Sequence, residues 1–525
     1  MKGKKLIHIL TSLCLSTAIL ASCGQSESSV PEKESSESIS ENGETSAGEN
    51  EEGQNQAEGI DWDEDPAEVN WYMWAAGVSA PGQDAIDRIE EKVNEITLKE
   101  INVHVNLSIL EMGTYLTQMP MQITAGDKID LITTFPAGSG TFSNMVSSGQ
   151  LLPLGDYLDS CCGDMLEVVP DNFFDATTVK GEIYAAPIYT DYTNDLYFIG
   201  KKDIFEETGF NAEDVDSYEE LEKVFEKVKE LHPELKIVSS GAQTITGSVG
   251  VTLNNEKYDT LTDIAVVFYE KEGQETKVVN LYETDEYKRE VGIYRDWYEK
   301  GYVDQDIMMR EDDPTDDPTV FGGFLQGNKA RTQNKVSPQG TELVSLKMAE
   351  GPVVTSSVAI MTMAIPVNAT EPEAAARVMN LAYTNADLKN LVSYGIEGED
   401  YTLNEDNGVV ITENCTYAPN TNTIFGNVFL GHLTEGEALA GVTRDIPDQS
   451  TLAYSPFLGF TVDLEPISNE VAQLSSIIEE YGKQVRCGMA DEDTYQEMID
   501  KMYASGLETY LTEIQRQLDE WLENQ

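Results

Sequence analysis

From Val69 onward the chain alternates two hydrophobic periods, and this alternation constrains its fold more than any other feature. Val69 to Trp74 is an apolar run, after which Asp84 stands where it caps a helix whose buried face is Ala85, Ile89, Val93 and Ile96. Val103, Val105 and Leu107 then alternate with His104 and Asn106, the period of two that marks a strand. Tyr115, Leu116, Met119 and Ile123 return to helical spacing, and Ile129 to Thr134 reads as a third strand closed by Phe135-Pro136. A βαβαβ order requires right-handed crossovers and an open parallel sheet, whose ligand crevice lies beyond the carboxyl ends of the strands. Trp74 and the turn Thr133-Thr134-Phe135 stand at two such ends.

A length of 525 residues exceeds what one core serves, and a second unit opens near Leu196. Ile183 to Ile188 reads as a strand, Tyr189 to Asp195 as a polar, aromatic connection, and Leu196 to Ile199 as the next strand. Ser217 with Glu220 three residues on marks a capped helix that buries Leu221, Val224, Phe225, Val228 and Leu231. Asp285 to Lys300 is a further helix with Tyr287, Val291, Tyr294 and Tyr298 on one face, Trp297 beside them, and Gly301 as its stop. Val358 to Pro366 is a strand-like run before a helix at Pro372–Tyr383. Past Pro456, two amphipathic helices are expected: one carries Val471, Leu474, Ile478, Tyr481 and Val485, the other Leu507 through Trp521.

Lys2, Lys4 and Lys5 precede a mostly apolar stretch, Leu6 to Leu20, which is shorter than the roughly 20 residues of a membrane helix and runs into Leu20-Ala21-Ser22-Cys23. The four residues resemble a bacterial lipobox, which makes residues 1–22 a cleaved leader and Cys23 a lipidated first residue. Gly24 to Glu68 holds fifteen acidic residues and one lysine among Ser, Gly, Asn and Gln. Such a segment buries too little to offset its ordering entropy and reads, over residues 23–68, as an extended disordered tether. Asp61, Asp63 and Asp65 space like an EF-hand loop, but Pro66 and Tyr72 stand where glycine and glutamate are needed.

With 34 Lys and Arg against 94 Asp and Glu, the formal charge of -60 repels phosphate backbones, so nucleic acid is not expected as a partner. Cys161, Cys162, Cys415 and Cys487 remain after the leader and anchor cysteines; they form no CxxC and read as inert thiols, though a disulfide is open. Only His104, His232 and His432 remain for acid–base or metal work, without an HExxH or a GxSxG. Glu311-Asp312-Asp313 with Asp316-Asp317 reads as a solvated loop. No catalytic residue, metal or cofactor is expected.

The mature chain resembles the extracellular solute-binding lipoproteins of ABC importers, family 1. The resemblance rests on the opening strand with Trp74, on Val179-Lys180-Gly181-Glu182-Ile183-Tyr184-Ala185-Ala186-Pro187, on the small-residue turn from Phe321 to Ala330, and on Ala364-Ile365-Pro366 running to Ala375. Gly395 to Tyr401, Ser455 to Asp463 and Glu513 to Trp521 are similar to a branch with a C-terminal helical domain of unknown function, from which Val462 and Leu464 depart. The resemblance implies an α/β fold of type II: two lobes, a hinge and a cleft. It divides the chain into lobe 1 (69–190 and 355–395), lobe 2 (191–354 and 396–450) and a helical domain at 451–525 packed on the lobes.

Within that frame Trp74 is either a stacking platform for a sugar or part of the lobe core. Thr134, Phe135, Asp191, Tyr192 and Asn194 lie in segments expected to face the cleft. Trp297 and Tyr394, the latter beside Glu397 and a Gly-rich turn, are the remaining ligand-binding candidates. The resulting expectation is a monomeric, lipid-anchored protein on the outer face of a bacterial membrane. It binds a carbohydrate, in particular an oligosaccharide, and delivers it to permease subunits. A peptide or other small solute, or an adhesin without a small ligand, are the alternatives.

Overall fold

The structure, a computed structural model, describes residues 60, 62–76, 79–239, 257–270, 275–309, 316–328, 335–337, 340–439, 442–447 and 452–524. The leader, Cys23 and most of the tether therefore lie outside the described residues; Ala67 and Glu68, expected in the disordered tether, instead open the first strand, paired with Val103 and His104. Along the chain the first lobe begins with β1 (Ala67–Ala75), α1 (Gln83–Ile101), β2 (Val103–Glu111), α2 (Met112–Ala125), β3 (Leu131–Thr133) and β4 (Ala186–Pro187). The second contains β5 (Asp195–Lys201), α3 (Tyr218–Leu231), β6 (Lys236–Val238), β7 (Tyr258–Thr260), β8 (Ala265–Phe268), β9 (Val278–Asn280), α4 (Asp285–Glu299), β10 (Val320–Gly327) and β11 (Leu343–Ala349). The chain returns through β12 (Thr362–Ala364), α5 (Pro372–Thr384) and α6 (Ala386–Tyr394), and ends in α7 (Ser468–Ile477), α8 (Glu492–Ala504) and α9 (Leu507–Glu523).

The first lobe's sheet has the order β2-β1-β3-β12-β4, with β1 parallel to both β2 and β3 and with β12 antiparallel to its neighbours. The βαβαβ expectation is thus met. Both faces are covered, which is why β1 reads as one apolar run rather than an alternation. Val69, Trp71 and Met73 enter a core with Ile86, Ile89 and Val93 of α1 and Val378 and Met379 of α5, while Trp74 enters a second core with Tyr115, Met119 and Ile123 of α2. Asp84 does not cap α1: Gly82 holds the N-cap position and Asp84 lies in the first turn. Ser217 does cap α3, its side chain accepting from the Glu220 N–H, and Gly301 follows α4 with a φ of +72°.

In the second lobe the sheet order is β11-β5-β10-β6. The Phe321-Gly322-Gly323 stretch, expected as a turn, is the interior of β10. Glycine is required there because a Cβ on Gly322 would collide with the Ile199 carbonyl and the Phe198 ring, and Phe198 packs among Phe225, Phe321 and Phe324. The run expected as a strand from Ile183 is interrupted: a short strand at Glu182–Ile183 precedes β4.

One assignment of the expected domain map moves. Residues 396–434, assigned to lobe 2, pack on lobe 1: Tyr417, Phe425 and Val428 belong to its core, and Arg88 of α1 pairs with Asp400 at 2.7 Å. Burial alone would raise the Asp400 carboxyl, but the Arg88 guanidinium and the Ile396 N–H hold it below the usual range. The C-terminal helices, expected to pack on the lobes, do not close a core of their own. Leu474, Met498, Ile514 and Leu518 share one with Val266 and Val267 of β8 and with Tyr287 and Val291 of α4. Their number also differs, because α8 intervenes between the two expected helices and the first is interrupted by a π turn at Ile478–Gly482.

Candidate functional site

The carboxyl ends of β1, β3 and β4 and the amino end of β12 meet at one edge of the first lobe's sheet. Thr134 is locked there. Its N–H donates to the Thr362 carbonyl at 2.8 Å, its Oγ1 accepts from the Thr362 N–H at 2.9 Å, and the two hydroxyls lie 3.1 Å apart. Tyr115 donates its hydroxyl to the Thr133 carbonyl at 2.6 Å, and the Trp74 Nε1–H points at the Thr134 carbonyl from 3.4 Å. Phe135 completes the cluster, edge-on to Trp74 at 5.0 Å.

This geometry corrects one of the two readings of Trp74. Its ring is only 4% exposed, so it is not an open platform in the unliganded chain. The reason lies in the ladder: β1 stays paired past Trp74, which stands opposite Leu110 of β2 with its ring directed among the α2 residues. Trp74, Thr134 and Phe135 form a rigid wall behind the strand ends. The chain leaving β1 is fixed by the 417–424 segment, with the Ala76 N–H donating to the Pro419 carbonyl at 2.9 Å and Asn420 returning a bond to the Ala76 carbonyl at 3.3 Å.

The crossover between lobes begins at Ile188. Tyr189 exchanges backbone bonds with Gly426 at 3.0 Å and Val428 at 2.9 Å, which fixes the segment to lobe 1. Asp191 and Asn194 are half-buried on it. Asp191 turns the chain by accepting from the Thr193 N–H at 2.9 Å, and its carbonyl receives Asn328 Nδ2 of the second lobe at 3.2 Å. Beyond it, Asp195 pairs with Lys347 of β11 at 2.8 Å and accepts from the Gly351 N–H at 3.3 Å, so both crossovers share one carboxylate. Burial pulls the Lys347 amine down, but Asp195 and Glu350 leave it above its ordinary value.

Three expected contacts are core residues. Tyr192 turns back into lobe 1, donating to the Ile188 carbonyl, with its ring edge-on to Phe173 at 5.0 Å. Trp297 is fully buried in the second lobe, stacked on Phe324 at an interplanar angle of 10° and edge-on to Phe225; the aromatic stripe on α4 is that lobe's core face. Tyr394 donates to the His432 carbonyl at 3.0 Å and packs on Tyr401. Thr362, Asn328 and Asn420 join the region without having been expected there. Asn328 lies inside the stretch that reads as a small-residue turn, while Thr362 sits within an apolar run and Asn420 in a polar one, without a local signal of spatial proximity.

Residues 240–256, 310–315 and 329–334 lie outside the described residues, and with them the acidic 311–313 run. Among the described residues, no group of three His, Cys, Asp or Glu is placed to hold a metal ion. His104 lies 3.2 Å from Glu68 and His232 2.9 Å from Glu207, each apart from the strand-end edge. Cys161, Cys162, Cys415 and Cys487 are free, and burial pushes the Cys162 and Cys487 thiols up to about 12.

Residues 83–389 match the model of a bacterial extracellular solute-binding protein. The chain belongs to that family. Residues 456–523 of this solute-binding protein match a domain of unknown function, DUF3502, which coincides with the helices past Pro456. A curated relative, a carbohydrate ABC transporter substrate-binding protein of Streptococcus pneumoniae serotype 4, is 24% identical over 460 residues, covering 84% of this chain and 89% of the relative. Among solved structures, the N-glycan transport solute binding protein NgtS of Streptococcus pneumoniae superposes with a TM-score of 0.72 at 21% identity, over 87% of this chain and 99% of that one. The substrate binding protein FusA of S. pneumoniae, in complex with kestose, gives 0.57 at 15% identity, over 87% and 100%. These likenesses establish the two-lobed α/β solute-binding fold with its C-terminal helices, in a family of binders and not of enzymes.

Proposed function

We propose that this protein is the lipid-anchored capture subunit of a carbohydrate ABC importer, holding an oligosaccharide between its lobes and passing it to permease subunits. The observation that carries the reading is the strand-end edge of lobe 1, where Trp74, Thr134 and Phe135 form a fixed wall at the strand ends and the crossover that leaves the same sheet carries the half-buried Asp191 and Asn194. Carboxylate and amide groups next to an aromatic wall suit an uncharged, hydroxyl-rich ligand. The carbohydrate transporter relative supports the class, as do two neighbouring structures: NgtS in complex with Man1GlcNAc, and FusA with kestose. Asp191 and Asn194 are the proposed hydrogen-bonding contacts, with Trp74, Thr134 and Phe135 as their backing.

Capture follows from differential affinity. A ligand that touches both lobes stabilises only the conformation in which both are within reach, and it shifts the population toward closure by that difference. Anchoring through the Cys23 thioether keeps the cleft at the outer face of the membrane, and the acidic tether sets its reach.

A thermal-shift screen of neutral oligosaccharides, peptides and amines against the intact chain tests the reading. A ligand at 100 times its dissociation constant adds about 2.7 kcal/mol. A rise in melting temperature confined to oligosaccharides is the expected result; a rise with peptides alone, or with nothing, rejects the carbohydrate assignment.

A further inference from the structure

The crossovers between the lobes are pinned at both ends, which confines bending to a few residues. In the first, Tyr192 belongs to the core of lobe 1, while Asp195 already stands in the ladder of lobe 2 opposite Gly327, so bending falls on Thr193 and Asn194. In the second, Ala349 pairs with Leu196 inside lobe 2 and Val353 belongs to the core of lobe 1, so bending falls on Glu350, Gly351 and Pro352. A third segment moves with the second, because the Val353 N–H donates to the Ala453 carbonyl at 2.8 Å and the Ser455 N–H to the Val353 carbonyl at 3.0 Å.

A side-chain hydrogen bond reaches across the bending residues of the first crossover and another reaches into those of the second. Asn328 directly follows β10 and so belongs to lobe 2. Its Nδ2–H donates at 3.2 Å to the carbonyl of Asp191, which lies on the lobe 1 side between the fixed Tyr189 and Tyr192. Asp195 acts on the other crossover: Lys347 of β11 holds one carboxylate oxygen at 2.8 Å, and the other accepts from the Gly351 N–H at 3.3 Å. Asp195 is 7% exposed and Gly351 is buried, so water competes little for this bond. A bond that exists at one lobe angle and not at others favours that angle by its own free energy.

We propose that Asn328 and Asp195 are positioning residues for solute capture, which together fix the resting angle of the unliganded lobes. Asn328 ties lobe 2 across Thr193 and Asn194, and Asp195 restrains the middle of the second crossover. Asp191 and Asn194 lie on the first crossover, so a solute bound to them acts directly on the pivot. The inference rests on the two-lobed fold and holds whichever solute is captured.

Single-molecule FRET on the full chain without ligand tests it, with dyes attached to p-azidophenylalanine in place of the exposed Glu91 on α1 and Glu226 on α3. Asn328→Leu and Asp195→Ala should each raise the ratio of displaced to resting molecules about fivefold, the factor one hydrogen bond is worth. The double variant should raise it about 25-fold, because the two bonds lie on separate crossovers. Hydrogen exchange over β5, β10 and β11 should keep its wild-type rates, which separates a change of angle from damage to lobe 2. A distance distribution that Asn328→Leu leaves unchanged overturns the proposal, as does a shift in Asp195→Ala that comes with faster exchange through β5 and β11.

Discussion

Replacing Trp74 by Ala separates the wall reading from the platform reading, because they place the free-energy loss in different states. The ring is 4% exposed and shares its core with Tyr115, Ile123 and Phe142, so its removal leaves a cavity in the unliganded lobe. A buried Trp→Ala change costs about 3–5 kcal/mol. The edge-on pair with Phe135 accounts for about 0.5–1.5 kcal/mol. The Nε1–H bond to Thr134, long at 3.4 Å, adds little. A loss of about 4 kcal/mol is roughly a thousandfold in an opening equilibrium. A chain of several cores does not unfold in one step, so a global melting curve would blur the effect. Native-state hydrogen exchange, read by mass spectrometry over residues 67–75 and 131–133, isolates it. The slowest amides of lobe 1 should exchange roughly a thousandfold faster while β5 and β10 of lobe 2 keep their rates. Ligand affinity of the molecules that remain folded should fall less than about tenfold, because the ring backs the contacts instead of making them. Unchanged lobe 1 exchange combined with abolished binding would refute the argument and restore the exposed platform.

Three further outcomes follow from other parts of the molecule. Asp259 on β7 is 3% exposed, and burial pushes its carboxyl up to about 6 against the lowering effect of Ser455. A folded value above the unfolded one of about 3.9 contributes stability that is full below about pH 4 and is lost as pH rises through about 6. Asp259→Asn should therefore stabilise its part of the chain by about 2 kcal/mol at pH 8 and hardly at all at pH 4; hydrogen exchange over residues 258–268, corrected for the intrinsic rate at each pH, showing an equal effect at both pH values would contradict this. Truncation after residue 455 exposes the buried faces of Val266, Val267, Tyr287 and Val291, so the product should be insoluble or bind a hydrophobic dye, whereas a monomeric, ligand-binding fragment would show that the helices are dispensable. Cys23→Ala should abolish palmitate labelling in a bacterial host and release a folded protein, and persistent labelling would remove the anchor assignment.

Local patterns in the sequence already determined the order of strands and helices in the first lobe, the cap at Ser217, the stop at Gly301 and the course of α5, because periodicity and capping act over a few residues and are visible in any window of that length. The family was legible for a similar reason: segments such as Ala364-Ile365-Pro366 and Ser455 to Asp463 keep their neighbours in line. What only tertiary structure decided were choices between partners distant in the chain. Nothing near Tyr417 or Phe425 says that they fill the first lobe and not the second, and nothing near Ile514 or Leu518 names β8 as the surface they cover. The fate of the aromatics was hidden likewise. Trp74, Trp297 and Tyr394 are each as apolar on paper as a stacking platform needs, but exposure depends on whether Leu110, Phe324 or Tyr401 closes over the ring. Gly322 shows the same limit in reverse: a glycine pair reads as a turn until the carbonyl of Ile199, from a distant strand, takes the space of a side chain.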